Sequence, residues 1–261
     1  MEERYDNIGK GYNDTRMADP YLLSRMEVLL QLKKDGHYLD VGAGTGNYTI
    51  ALNQKGYSFT GIEPSETMIE KARAASKAII WKQGHAEAIP VADASIDGVL
   101  ASFTIHHWKN LSKGITEVAR VLKPGGNFLI LTGWPRQMEH YWLKHYFPNM
   151  IVDSQKVMPR EQRVLRLLKT HNFTAIRQEP YEVKPNLLDH VLYAGKHHPE
   201  KYLDPDIRKG ISSFSAFSHE SEVRKGLEQL EKDIRDQTIE GIINNYQSDQ
   251  GDYVFVVATK L

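Results

Sequence analysis

Residues 38–49, Tyr38-Leu39-Asp40-Val41-Gly42-Ala43-Gly44-Thr45-Gly46-Asn47-Tyr48-Thr49, constrain this chain more than any other stretch. A short apolar strand ends in an acid, three glycines follow at alternate positions, and a helix begins. Glycines at 42, 44 and 46 let the backbone turn tightly and let a ligand approach without meeting a Cβ, while the helix start presents unpaired N–H groups. The pattern is that of a nucleotide-type pocket. Dinucleotide sites place Gly-x-Gly-x-x-Gly at the same junction; here the spacing is Gly-x-Gly-x-Gly, with Asp40 two residues ahead of the first glycine. A carboxylate there repels a pyrophosphate and suits a cationic ligand.

Around this loop the chain alternates strands and helices without long linkers, which calls for a parallel sheet. A helix is expected over residues 21–32, with apolar positions at 22, 23, 26, 29 and 30. After the glycine loop come a helix over 45–56 with Ile50, Ala51 and Leu52 inward, a strand over 57–63 ending in Glu63, and a helix opened by Pro64-Ser65. Strands at 78–84 and 97–103 follow, then a helix over 111–122 stopped by Lys123-Pro124-Gly125-Gly126, and a fifth strand at 127–132. The pattern then loosens. Residues 133–148 are rich in aromatics and histidine, 160–171 read as an amphipathic helix, 173–183 as a sixth strand, and 253–259 as a terminal strand. Between the last two, residues 186–248 are rich in helix formers, with one long helix expected over 220–243.

The motif Asp40-Val41-Gly42-Ala43-Gly44-Thr45-Gly46 resembles the first motif of class I S-adenosylmethionine (SAM) dependent methyltransferases, in particular the small-molecule enzymes related to the ubiquinone/menaquinone methyltransferases. Gly84-His85-Ala86-Glu87-Ala88-Ile89-Pro90 is similar to a second stretch of that family, and Lys-Pro-Gly-Gly before an apolar strand is another of its features. The resemblance implies an α/β, doubly wound, seven-stranded and mostly parallel sheet of order 3-2-1-4-5-7-6, with the last strand antiparallel and a helical cap. It divides the chain into an N-terminal helical segment (1–36), a SAM-binding domain (37–185 and 249–261) and a cap insertion over the substrate (186–248), with 134–157 as a second cap element. Connections of that length normally carry function.

The same resemblance assigns site residues. Asp40, Gly42, Ala43 and Gly44 face the amino-acid end of SAM, and Glu63, 17 residues after Gly46, stands where an acid accepts from both ribose hydroxyls. Pro64 and Met68 lie beside the adenine. His85 occupies the position where the family carries an adenine-reading Asp; a neutral imidazole can still accept from the adenine amino group, and the Ala86 N–H needs no particular side chain. Tyr12 and Arg16 are expected to close the pocket from the N-terminal segment, where Tyr5 is a further candidate, with Arg16 pairing with the SAM carboxylate. Ser102 and Phe103 end the fourth strand, where ligands of such sheets bind. His107, Tyr12 and His140 are the acceptor-side candidates. Of the adjacent pair His106-His107, at most one is expected to face the pocket.

Composition narrows the chemistry. The 261 residues contain no cysteine, which excludes disulfides, thiolate zinc and iron–sulfur sites, and with them radical SAM chemistry and cysteine-adduct methylation. The formal net charge of zero gives no global attraction to nucleic acid or anionic membrane. Ser102-Phe103-Thr104-Ile105 also lacks the acidic or polar residue followed by Pro-Pro and an aromatic that is common where base or glutamine amino groups are methylated. His140 and His145 are five apart, which does not bring metal ligands onto one helix face, so no metal is expected. No apolar run approaches the roughly 20 residues that span a bilayer, and the N-terminus resembles no signal peptide, so a cytoplasmic monomer or homodimer is expected. The function implied is transfer of a methyl group from SAM to an O, N or activated C of a small molecule, leaving S-adenosylhomocysteine (SAH). The alternatives are a tRNA or protein methyltransferase, a SAM-binding protein without transfer, and an NAD-dependent oxidoreductase, which the glycine spacing and Asp40 disfavour.

Overall fold

A computed structural model of the chain describes residues 16–217 and 219–261; Tyr5 and Tyr12 lie outside the described residues. Helix α1 (Pro20–Leu30) leads into β1 (His37–Val41), α2 (Asn47–Gln54), β2 (Ser58–Glu63), α3 (Glu66–Ala75), β3 (Ile80–Gln83) and β4 (Ile96–Ser102). After a 3-10 turn at Ile105–His107 come α4 (Leu111–Val121), β5 (Leu122–Thr132), α5 (Pro135–Glu139), a 3-10 turn at Trp142–His145, α6 (Pro148–Val157), α7 (Glu161–Thr170) and β6 (Phe173–Tyr181). The connection to the last strand carries a 3-10 turn at Pro199–Leu203, then α8 (Pro205–Gly210), α9 (Ser212–Phe217), α10 (Glu220–Arg235) and α11 (Ile239–Asn244), and the chain ends in β7 (Tyr253–Lys260).

The sheet order is β3-β2-β1-β4-β5-β7-β6. Strands β1 to β5 pair in parallel, and β7 lies antiparallel between β5 and β6. This is the doubly wound order expected. Successive side chains go to opposite faces: Val99, Phe128, Ile130, Val254 and Val256 join Ile115, Val118, Val164 and Leu168 in one core. Leu100, Leu129, Leu131, Phe255 and Val257 join Leu22, Met26 and Leu30 in the other. A sheet covered on both faces needs strands apolar on both sides, as these are.

Of two local expectations, one holds and one is corrected. Lys123-Pro124-Gly125-Gly126 follows directly on α4, which ends at Val121, and turns the chain: Gly125 has φ 81°, and β5 pairs with β4 at Leu122 and again only from Asn127. The long helix expected over 220–243 is two helices. Gln237 takes a left-handed φ of 59°, and Thr238 turns back on Asp233, its N–H donating to the Asp233 carbonyl (3.0 Å) and its hydroxyl to Oδ1 (2.9 Å).

The segments 134–157 and 186–248 form a single second layer. Tyr141, Trp142, Tyr146, Phe147, Met150 and Ile151 share one core with Tyr193, Tyr202, Phe214 and Leu230. Phe147 packs edge-on against Phe214 (centroids 5.1 Å). The Glu222 carboxylate accepts from the N–H groups of Asn149 (2.7 Å) and Met150 (3.1 Å), satisfying donors that the first turn of α6 leaves open. Gly226 lets α10 approach this layer: a Cβ there would stand 2.5 Å from both Phe147 Cε1 and the Tyr146 carbonyl oxygen. Because one of those atoms is backbone, Gly226→Ala should overpack the junction and destabilise the chain by about 1–3 kcal/mol. A urea unfolding midpoint equal to that of the parent chain would show that α10 is not seated there.

Candidate functional site

The carboxyl ends of β1, β2 and β4 open into one cavity of about 490 Å³, roofed by the second layer. Its floor is the glycine loop. The Gly42 and Ala43 N–H groups both donate to the Ile62 carbonyl (2.8 and 3.0 Å), which ties the loop to the end of β2. Gly44 has φ 58°, and a Cβ built on it meets no atom within 4 Å, so it faces open cavity. A left-handed backbone and an unobstructed approach are both what glycine supplies.

Two acids stand at this end. Asp40, 4% exposed, accepts from the Thr49 hydroxyl (2.5 Å). Burial raises its pKa to about 7; the Thr49 hydrogen bond opposes the rise and the nearby Glu63 charge adds to it. Glu63, 7% exposed, accepts from the Gly44 N–H at Oε2 (2.8 Å) and the Ser65 N–H at Oε1 (2.9 Å). Burial pushes its pKa up while the two backbone donors pull it down. Each oxygen keeps a lone pair for a ligand, so Glu63 both shapes the loop and remains able to accept. Pro64, Met68, His85 and Ala86 line the same cavity, as do Ser102, Phe103 and Arg16. An acid under the loop, an acid at the end of β2 and an open Gly44 fit a cationic amino-acid nucleoside.

Phe103 takes a left-handed φ of 51°, a conformation costing of order 1–3 kcal/mol for a residue with a side chain. Its N–H donates to the Leu131 carbonyl (2.8 Å) and its ring meets Tyr253 edge-on (4.9 Å), which hold it there. The bend starts the Ile105–His107 turn, and here the expectation that one histidine faces the cavity is corrected. His106 and His107 both line it, their ring centroids 3.8 Å apart at 50°, because a 3-10 turn does not throw neighbouring side chains to opposite sides as a strand does. His140, by contrast, is exposed and does not line the cavity; it follows α5, whose buried face is carried by Gln137 and Met138. Of the aromatic segment 133–148, only Gly133 and Met138 reach the cavity, the large rings being spent on the core beneath.

Several lining residues carried no motif. Asp189, 1% exposed, accepts from the Arg16 guanidinium Nε at Oδ1 (2.5 Å) and from the Tyr48 hydroxyl at Oδ2 (3.0 Å). The Leu188 N–H donates to Asp19, the N-cap of α1. The N-terminal segment, α2 and the cap thus meet at one carboxylate, and Arg16, expected to serve a ligand carboxylate, commits its Nε to Asp189. Tyr193, Leu192, Ile211, Phe217 and Met158 add an apolar and aromatic wall. On that wall the Ser102 hydroxyl, the Tyr193 hydroxyl and His106 Nδ1 are buried without hydrogen-bond partners; such groups typically cost about 1–3 kcal/mol each.

Comparison with known proteins agrees with this geometry. A family profile described as a methyltransferase domain matches residues 39–130. An uncharacterised methyltransferase of Mycobacterium tuberculosis is 37% identical over 107 residues, 38% of this chain and 44% of that protein, so the match spans less than half its length. A ubiquinone/menaquinone biosynthesis C-methyltransferase of Geotalea daltonii is 32% identical over 162 residues, 56% of this chain and 69% of the relative. The crystal structure of a protein from Anabaena variabilis, described as a methyltransferase of an antibiotic biosynthesis pathway, superposes with a TM-score of 0.84 at 31% identity, covering 95% of this chain and 99% of that one.

The raised pKa of Asp40 has a consequence for stability. Its folded value of about 7 lies above the ordinary 3.8. The stability it contributes is therefore fully present below about pH 4 and is lost as pH rises through 7. Asp40→Asn should flatten that loss, leaving the variant more stable than the parent at pH 8 by on the order of 2–4 kcal/mol. Urea unfolding of both ligand-free proteins at pH 5 and pH 8 measures it; identical pH dependence would mean that Asp40 is ionised throughout.

Proposed function

The chain belongs to the class I SAM-dependent methyltransferases, related to their ubiquinone/menaquinone group, and on that premise we propose that it methylates a small, largely apolar molecule at an oxygen, nitrogen or activated carbon. The observation that carries this reading is the continuity of the cavity. The compartment floored by Gly42, Gly44 and Glu63 runs without a break to a wall made by Phe103, Leu192, Tyr193, Ile211, Phe217 and Met158. A cavity whose lining is largely apolar suits a small molecule rather than a folded RNA or a protein surface, and the zero net charge agrees. The names of the relatives, a ubiquinone/menaquinone biosynthesis C-methyltransferase and a methyltransferase from an antibiotic biosynthesis pathway, accord with a small acceptor.

SAM is the methyl donor, and its sulfonium supplies the leaving group for an in-line displacement. Asp40, Gly42, Ala43 and Gly44 are assigned to its amino-acid end, Glu63 to the ribose, and Pro64, Met68, His85 and Ala86 to the adenine. Ser102 and Phe103 separate this part of the cavity from the acceptor side, where His107 lies. Residues 37–185 and 249–261 hold the donor, while 186–248 and 134–157 roof the acceptor. What the protein contributes is alignment and exclusion of water, for which holding two reactants in place can supply on the order of 7–11 kcal/mol.

The test has two parts. Calorimetric titration with SAM should show that Asp40→Ala and Glu63→Ala each weaken binding by about 1.5–3 kcal/mol, the size of a hydrogen bond to a charged acceptor; unchanged affinity in both would sink the assignment. SAH release should then be measured over a panel of phenols, amines, enols and quinols, with tRNA and protein as controls. Release with small molecules alone is the expected result. Binding of SAM with no release from any acceptor would leave a SAM-binding protein without transfer.

A further inference from the structure

The three buried, unpartnered polar atoms on the cavity wall are not equivalent. Ser102 Oγ and the Tyr193 hydroxyl oxygen are sealed, and neither side chain has a second polar atom to offer. His106 has two ring nitrogens. Nδ1 is sealed, and Nε2 makes no hydrogen bond with the described residues, while the half-buried ring lines the cavity. The edge carrying Nε2 is therefore what His106 presents to whatever enters. His106 sits in the turn just beyond the carboxyl end of β4, packed on His107.

We infer that His106 is the residue that positions the methyl acceptor, through a hydrogen bond at Nε2, and that the acceptor carries a neutral hydroxyl at that point. The inference rests on the small-molecule reading above and goes beyond it by naming the residue and the functional group. Protonation would leave a charged Nδ1–H buried with nothing to accept it, so the ring works as a neutral partner. Burial, and secondarily the neighbouring His107, hold its pKa well below the ordinary 6.5. The tautomer of a neutral imidazole decides whether Nε2 donates or accepts; a hydroxyl does both and pairs with either. An ammonium can only donate, and it would bring a second positive charge beside the sulfonium of SAM. The apolar surroundings, Phe103 and Leu192 among them, take the body of the molecule. His106 is not asked to remove a proton, since a weakly basic ring is a poor proton acceptor and a good fixed partner.

The experiment uses the SAH-loaded protein and three probes, phenol, its isostere toluene, and benzylammonium, which is one atom longer, with binding read by saturation-transfer NMR. Phenol should bind roughly tenfold more tightly than toluene, the order of one hydrogen bond, and benzylammonium should bind most weakly. In His106→Leu, phenol and toluene should become equal while SAH affinity, measured by calorimetry, stays within about twofold, an expected difference well under one hydrogen bond. His106→Gln, which places an amide near the site of Nε2, should restore part of the preference. Equal binding of phenol and toluene to the parent protein, or a preference that survives His106→Leu, overturns the inference and leaves the small-molecule reading standing. Should His106→Leu fail to fold, the parent and the Gln variant still decide. If no probe enters the SAH-loaded protein, the small-molecule reading falls and this inference with it.

Discussion

The antiparallel insertion of β7 between β5 and β6 is the constraint on which the rest of the structure depends. Each of its residues from Tyr253 to Ala258 is buried, alternately in one core and the other, with ladders on both sides. Because β7 runs antiparallel to β6, with Tyr181 paired to Tyr253, a tight hairpin would suffice to join them, and omitting β7 would expose the edges of β5 and β6. The chain instead leaves the sheet after Tyr181 and comes back at Tyr253. The excursion returns at the carboxyl end of β5, since Thr132 pairs with Val254, and Tyr253 itself lines the cavity. The excursion thus ends beside the cavity, and its buried side chains, Tyr193, Tyr202, Phe214 and Leu230 among them, join the core that holds Leu22, Met26 and Phe255.

The charge distribution has the same economy. Three carboxylates, Asp40, Glu63 and Asp189, are each less than a tenth exposed around one cavity. Buried carboxylates need partners or they protonate. Asp189 has a guanidinium and a phenol, and Glu63 has two backbone donors. Asp40 has one hydroxyl, and burial pushes its pKa up to about 7. The least satisfied of the three lies directly under the glycine loop, where a cation would complete it.

Much of this was legible before any coordinates. The Gly-x-Gly-x-Gly spacing, the strand-terminal acids Asp40 and Glu63 and the alternation of strand and helix are local signals, each readable within a dozen residues, and among the residues they single out Asp40, Gly42, Gly44 and Glu63 line one end of the cavity. What could not be read was made by distance in sequence. Asp189 meets Arg16 across 173 residues and Tyr48 across 141, and an isolated Asp in a helix-rich insertion carries no periodic mark. The aromatic run at 133–148 looked like a pocket wall, and most of it is core, because the excursion that follows β6 buries it from the other side. His140 differs from them: it and Glu139 are exposed, while Met138 and Tyr141 face inward. The pair His106-His107 was misread by assuming strand-like alternation where the chain had already turned.

That turn shows how the two ends of the site are fixed to one another. Phe103 bends the chain at the end of β4 through a left-handed φ, which carries Thr104 back over the glycine loop. Gly42 is what lets it stay: a Cβ there would stand 2.0 Å from the Thr104 hydroxyl oxygen. The Thr104 carbonyl then accepts from the His107 N–H (2.8 Å), closing the turn that places both imidazoles on the cavity wall. The first glycine of the loop is thus also a steric condition for the histidine turn across the cavity. A side chain at position 42 would push Thr104 outward and move His106 and His107 with it, so the glycine loop and the histidine turn cannot be varied independently at this point. Alignment of two reactants requires that kind of shared reference, and here it is a missing methyl group.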